Sequence, residues 1–147
     1  MFKHIDTHAH LNLSAFKEDA LEVVKKCAEE GVAVINVGTQ ERTSKRAVEI
    51  AVEADNCYAI VGLHPIHTVP GTHDEDEIGE GGQPFVSRGE TFDKAFYREL
   101  AKHEKIVGIG ECGFDYYHTP TGSYEIQEAA FIAQIELANE LGLPLMI

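Results

Sequence analysis

Five short strand-like runs, each separated from the next by one stretch of helical periodicity, constrain the fold of this chain more than any other feature. Val32-Ala33-Val34-Ile35-Asn36-Val37 closes on Gly38, Cys57-Tyr58-Ala59-Ile60-Val61 closes on Gly62, and Ile106-Val107-Gly108-Ile109 closes on Gly110. Apolar, β-branched runs without alternation are the pattern of strands covered on both faces, as in parallel sheets. With the opening run and a last one that begins at Leu143, strand starts fall near positions 3, 32, 57, 106 and 143. The gaps predict four helices. Ser14 caps the first, which runs to about Glu30 and stops at Gly31; the second covers about Thr43 to Ala54 and the third about Phe92 to His103. The longest opens at Ser123 and runs to about Leu141, ended by Gly142 and Pro144.

Such βα repetition demands a parallel sheet with right-handed crossovers, either a doubly wound open sheet or a (β/α)₈ barrel of the TIM type. The unusual residues separate the two. His8 and His10, His64, and Glu111 with Asp115 all fall at C-terminal ends of different strands, where a barrel gathers its site. An open sheet places its ligand at one crevice, usually beside a Gly-rich phosphate loop after the first strand, and the chain has no such loop. The expected fold is therefore an α/β barrel. A complete barrel takes about 200 residues or more, so the five strands and four helices of residues 1–147 are expected to be the N-terminal portion of a single barrel domain. Its exposed sheet edges would then need the rest of the barrel or another chain to cover them.

Residues Ile66 to Thr91 break the rhythm and read as an acidic loop insertion. Between His73 and Glu90, the residues Asp74, Glu75, Asp76, Glu77, Glu80 and Glu90 stand against Arg88 alone. Lying at the end that carries the candidate ligands, the loop is placed to gate substrate access or cover a barrel edge, or else is a disordered surface insertion. His67 and His73 flank it and are expected to be solvated. The formal charge of the whole chain is −13, which argues against non-specific nucleic-acid binding through a basic patch. A metal ion among carboxylates and imidazoles inverts the sign of the field locally, so a phosphate substrate remains compatible with this composition. Cys27, Cys57 and Cys112 lack C-x-x-C spacing, and no apolar run approaches the roughly 18 residues of a membrane span. A cytoplasmic protein without membrane association is the expectation.

The opening run is Asp6-Thr7-His8-Ala9-His10. In an extended strand these alternate positions project to one face, and two imidazoles two residues apart, with a carboxylate beyond, suit a divalent ion. Supporting one of the histidines is the expected role of Asp6, rather than direct ligation. Phosphodiester hydrolysis needs a nucleophile at neutral pH and a counter-charge for the phosphoryl oxygens, and two ions about 3.5–4 Å apart supply both. Glu111 is the candidate catalytic carboxylate between them. His64, held extended by Pro65, either contacts substrate or is satisfied by a backbone carbonyl. Asp115 and Tyr116 orient substrate or a ligand imidazole, or else Asp115 simply forms the turn. Cys112 reads as a small packing residue.

Taken together, Asp6-Thr7-His8-Ala9-His10, Gly62-Leu63-His64-Pro65, Gly110-Glu111-Cys112-Gly113-Phe114-Asp115-Tyr116 and the Gln127, Phe131, Gln134, Leu137-Ala138, Leu141, Leu143-Pro144 pattern resemble the TatD family of metal-dependent deoxyribonucleases. The motifs occur in the family's order and cover nearly the whole chain. The resemblance implies a (β/α)₈ barrel with one or two divalent ions (Mg²⁺, Mn²⁺ or Zn²⁺), His8 and His10 on the first ion, Glu111 bridging both, and His64 on a phosphate. It implies DNA as substrate, as single strands or strand ends. The family's further ligands, a histidine in an Ile-His-x-Arg motif, a later histidine and a late aspartate, would follow Ile147. Two other functions stay open: a related metal-barrel hydrolase of small esters, amides or aminoacyl-tRNA, and a catalytically silent fragment that binds metal weakly or acts as an interaction module.

Overall fold

The computed structural model describes residues 2–73 and 85–147. Strands β1 (His4–Ala9), β2 (Val32–Val37), β3 (Cys57–Val61) and β6 (Ile106–Ile109) form one parallel sheet in the order β1-β2-β3-β6. Strands β4 (Pro70–His73) and β5 (Phe85–Arg88) form a separate antiparallel ribbon. The fifth predicted strand is represented by a parallel bridge between Ile109 and Leu145. Ile109 N–H donates to the Pro144 carbonyl and Met146 N–H to the Ile109 carbonyl, both at 2.9 Å. The helices are α1 (Ala20–Glu29), α2 (Glu41–Val52), α3 (Lys94–Leu100) and α4 (Tyr124–Leu141).

Strand order within the main sheet follows chain order with no reversal, whereas a doubly wound sheet reverses at a switch point. The helices also share one face. Ala20 and Val24 of α1, Ala47, Ile50 and Ala51 of α2, Tyr97 of α3 and Leu137 and Ala138 of α4 join one buried cluster with alternate strand residues Val34, Cys57, Ala59 and Val61. Ala33, Val37 and Ile60, one position out of step, are buried apart from that cluster, on the opposite face. A parallel sheet with helices on a single face is the wall of a barrel. Among the described residues no helix is long and apolar enough to cross a membrane.

Local interactions move the predicted boundaries. Ser14 begins a 3₁₀ turn (Ser14–Phe16) instead of capping an α-helix, and α1 starts at Ala20. The reason lies upstream: Leu11 and Asn12 are buried, and Asn12 Nδ2 donates to the carbonyls of Val37 (2.9 Å) and Thr43 (3.0 Å). The chain after β1 is thus held against β2 and α2, and a helix begins only where it is released. Helix α2 starts at Glu41 because Gln40 and Thr43 form a reciprocal capping pair, and α3 starts at Lys94, where Asp93 Oδ1 accepts from the N–H groups of Ala95 and Phe96.

The expected loop from Ile66 to Thr91 holds more structure than its sequence showed. A 3₁₀ turn (Pro65–His67) leads into the β4–β5 ribbon, whose four-residue strands are too short to show a period. The acidic run from Asp74 to Glu80 lies outside the described residues. His67, expected to be solvated, is 4% exposed, because the 3₁₀ turn folds it inward.

Helix α4 carries two fully buried glutamines seven residues apart. Gln134 pairs with both backbone groups of Leu63: its Oε1 accepts from the N–H at 2.9 Å, and its Nε2 donates to the carbonyl at 3.0 Å. Gln127 Oε1 accepts from Asp115 N–H at 2.8 Å, and its Nε2 donates to the Asp115 carbonyl, Thr119 and Ser123. One helix face therefore ties down the strand ends that precede His64 and follow Glu111. Replacing Gln134 by Leu strands two buried backbone groups, each costing about 1–3 kcal/mol when unpaired. Urea unfolding of Gln134→Leu is expected to show a loss of at least that order, and an unchanged midpoint would refute the role.

Candidate metal centre

Four side chains converge where the parallel strands end. His8 and His10 leave β1, His64 follows β3, and Glu111 follows β6. Glycines make the convergence possible. A side chain on Gly62 would run into the Gly110 carbonyl and Gln134, and one on Gly110, at φ +141°, would run into the Met146 carbonyl. The Gly110–Glu111 peptide is cis.

The His8 and His10 Nε2 atoms are 3.2 Å apart, and they lie 3.3 and 3.9 Å from Glu111 Oε2. Ligands about 2.1 Å from a shared ion stand roughly 3.0–3.4 Å apart at octahedral or tetrahedral angles; both separations from His8 fall in that range, and the His10–Glu111 one is wider. Protonation supports the same use. His10 Nδ1 lies 3.0 Å from the Val37 carbonyl, which only accepts, so the neutral ring carries its proton on Nδ1 and turns a lone pair at Nε2 toward the triad. Burial pulls the His10 pKa below its ordinary value and outweighs the opposing effects of the Val37 bond and the Glu111 charge. The ring is thereby kept in the uncharged, ligating form.

His64 is built the other way round. Its Nδ1 accepts from Ile66 N–H at 3.2 Å, so the neutral ring bears its proton on Nε2, which lies 3.8 Å from Glu111 Oε1. It offers a donor rather than a lone pair. Burial also lowers its pKa, against the charges of Glu111 and Asp115. One nitrogen of His64 is satisfied by backbone, through the Ile66 N–H rather than the expected carbonyl, and the other faces Glu111.

Asp6 places its carboxylate on its neighbour's backbone, with Oδ1 accepting from His8 N–H at 3.0 Å. A register shift between Asp6 and Ala9 interrupts the strict alternation that would put Asp6 on the histidine face. The Asp115 carboxylate accepts from the N–H groups of Tyr117 (2.9 Å) and His118 (2.6 Å) and pairs with the His118 ring at 2.7 Å. Burial raises its pKa, but these hydrogen bonds outweigh burial and hold it below the usual value. Asp115 thus organises the turn after Glu111. Tyr116 stands beside the centre rather than in it; it is 69% exposed, stacked on Phe114 at 5.8 Å and edge-on to Tyr124 at 5.1 Å. Cys112 is buried, its thiol pushed up to about 12 by burial, and its Sγ bonds the Met146 carbonyl. Sequence reasoning missed His118 and the Val37 carbonyl. Nothing in the spacing signals the Val37 carbonyl, 27 residues from His10, whereas His118 stands three residues from Asp115, at the spacing of a turn.

Because His10 and His64 have lowered pKa values in the folded protein, the unfolded chain takes up protons first as pH falls through the ordinary 6.5. The stability they contribute is full above that value and is lost as pH falls toward the lowered ones. Urea midpoints of chelator-treated protein are expected to decline between about pH 7.5 and 5.5, and less so in His10→Asn, His64→Asn; equal declines in the two proteins would overturn this assignment.

Comparison with known proteins places this geometry. The description "TatD related DNase" matches residues 5–147. The chain is 36% identical over 143 residues to the uncharacterized metal-dependent hydrolase YabD of Bacillus subtilis, covering 97% of this chain and 49% of that protein. It is 31% identical to the 3'-5' ssDNA/RNA exonuclease TatD of Shigella flexneri, covering 97% and 48%. The crystal structure of YJJV, a TatD homologue from Escherichia coli K12, superposes with a TM-score of 0.68 at 23% identity, over 97% of this chain and 49% of that one. That likeness shows the fold, and the expected barrel portion agrees with it. The chain spans about half the length of the relatives it matches. Its motifs, its parallel sheet and the match over nearly all its residues together show that this chain belongs to the TatD related DNase family.

Proposed function

We propose that this chain carries one side of the metal centre of a hydrolase that cuts phosphodiester bonds in single-stranded nucleic acid or at strand ends. The observation that carries the reading is the triad of His8, His10 and Glu111, whose ligand atoms all lie within 4.8 Å of one another. In this reading the chain is the N-terminal portion of one barrel domain, and further ligands come from strands beyond it. The protein works in the cytoplasm. DNA as substrate is supported by the family description, and single-strandedness by the name of the Shigella flexneri relative.

His8 and His10 would hold one divalent ion through Nε2, and Glu111, with its second oxygen 3.8 Å from His64, has the reach to share a second. Nitrogen and carboxylate donors suit Mg²⁺, Mn²⁺ or Zn²⁺. Bound there, such an ion supplies Lewis acidity at the phosphoryl oxygens and lowers the pKa of water. His64 directs its Nε2–H at the same space, so it would bind a phosphoryl oxygen as charge builds there. Asp6 fixes the backbone of His8, and Asp115 fixes the loop that carries Glu111. Tyr116, open to solvent on the same loop, offers a face on which an unpaired base can stack, a contact a paired strand does not make available.

Titration calorimetry with Mn²⁺ or Zn²⁺ tests the triad. His8→Ala and Glu111→Gln are each expected to weaken binding by more than the about 10–100-fold that loss of a ligand's supporting partner costs, and to abolish hydrolysis of single-stranded DNA. Metal affinity retained in both would sink the reading.

His64→Ala is expected to lower kcat by about 10²–10³-fold, the scale of one lost oxyanion donor, while metal affinity holds. A matching loss of metal affinity would instead make His64 a ligand.

A further inference from the structure

We propose that the groove between the segment leaving β1 and the exposed face of α2 binds the phosphodiester backbone of the nucleic-acid strand that enters the metal centre; this rests on the hydrolase reading above. The groove encloses about 480 Å³ between Leu11–Ser14 with Lys17 on one side and Arg42, Lys45, Arg46 and Glu49 on the other. The α2 residues are spaced three and four apart, so they form one stripe on the helix surface.

The charge of this groove runs against the composition of the chain. Acidic residues outnumber basic ones 25 to 12 in the sequence, yet four of those cations line the groove and Glu49 is the one carboxylate among its lining residues. Arg42 also borders a second depression toward the β4–β5 ribbon, lined by Arg88 and by Glu90. The ion pairs of Lys17 and Arg46 leave both side chains able to meet a phosphate. Arg46 lies 3.3 Å from Glu49 and Lys17 3.9 Å from Glu18, all with largely exposed side chains, and exposed pairs of this kind are worth little. A phosphate can displace them.

Position ties the groove to the chemistry. Its wall begins at Leu11, the residue after the ligand His10. Asn12, within that wall, donates to the same Val37 carbonyl that receives His10 Nδ1, and also to the Thr43 carbonyl of α2. Asn12 thus links α2 to the same backbone oxygen that holds the His10 ring. A strand whose scissile phosphate sits at the triad has a cationic track beginning beside it, while the rest of the acidic surface repels nucleic acid.

Fluorescence anisotropy with a labelled oligo-dT strand, on the full chain with chelator present so that nothing is cut, tests the groove directly. Lys45→Glu, Arg46→Glu is expected to weaken binding at least tenfold and to flatten the log–log salt dependence by about 1.4, two single-strand phosphate contacts at about 0.7 each. The control Lys25→Glu, Lys102→Glu makes the same charge change away from the groove and is expected to shift binding less than twofold. Should the charge reversal fail to fold, Lys45→Gln, Arg46→Gln is expected to act in the same direction with a smaller effect. Equal weakening by groove and control variants, or none by the groove variants, overturns the proposal, as does displacement of the strand by polyglutamate as readily as by unlabelled strand. Cleavage of the strand with Mn²⁺, by this chain joined to the strands that complete the barrel in that reading, is scored separately: its failure sinks the hydrolase reading and leaves the binding result to stand on its own.

Discussion

Parallel pairing of β1, β2, β3 and β6 is the constraint on which the remaining structure depends. Each connection in a parallel sheet must recross the sheet, so every strand ends at the same rim. Residues far apart in the chain, His8, His64 and Glu111, then meet because each immediately follows or closes a strand. The meeting tolerates little bulk at the backbone, which is why glycine stands at 62 and 110. Helix α4 completes the arrangement from outside, its two buried glutamines replacing the hydrogen bonds that strand-end backbone loses where the sheet stops.

Within that frame the Val37 carbonyl separates the chemistry of the two kinds of histidine. By accepting from His10 it leaves a lone pair aimed at the centre; by accepting from Ile66, His64 leaves a proton there. Identical side chains are thus assigned as ligand and as donor through which ring nitrogen meets backbone. Burial keeps both rings neutral and overrides the nearby carboxylates, so lone pair and proton survive without a neighbouring cation. Against the net negative charge, four of the 12 basic residues line one groove whose wall begins at Leu11, next to His10.

Much of this was legible in the residues. Unbroken apolar runs closed by glycine show parallel strands, and the placement of His8, His10, His64 and Glu111 just past those runs shows a common rim. The misjudged features share a cause. Ser14 looked like a helix cap until Asn12 was seen to be bound across to Val37 and Thr43; His67 looked solvated until a 3₁₀ turn folded it inward. Strands β4 and β5, four residues each, are too short for periodicity to register.

By itself the sequence determined the βα rhythm, the residue types able to ligate a divalent ion and the order in which they appear, because hydrophobic period and strand-end position are local properties of a chain. Tertiary structure alone decided that His8 and His10 stand beside Glu111, that His10 bonds the Val37 carbonyl and so turns a lone pair there, and that four cations of an acidic chain line one groove. Each of these depends on contacts between segments tens of residues apart, and such distances exist only once the sheet has closed them.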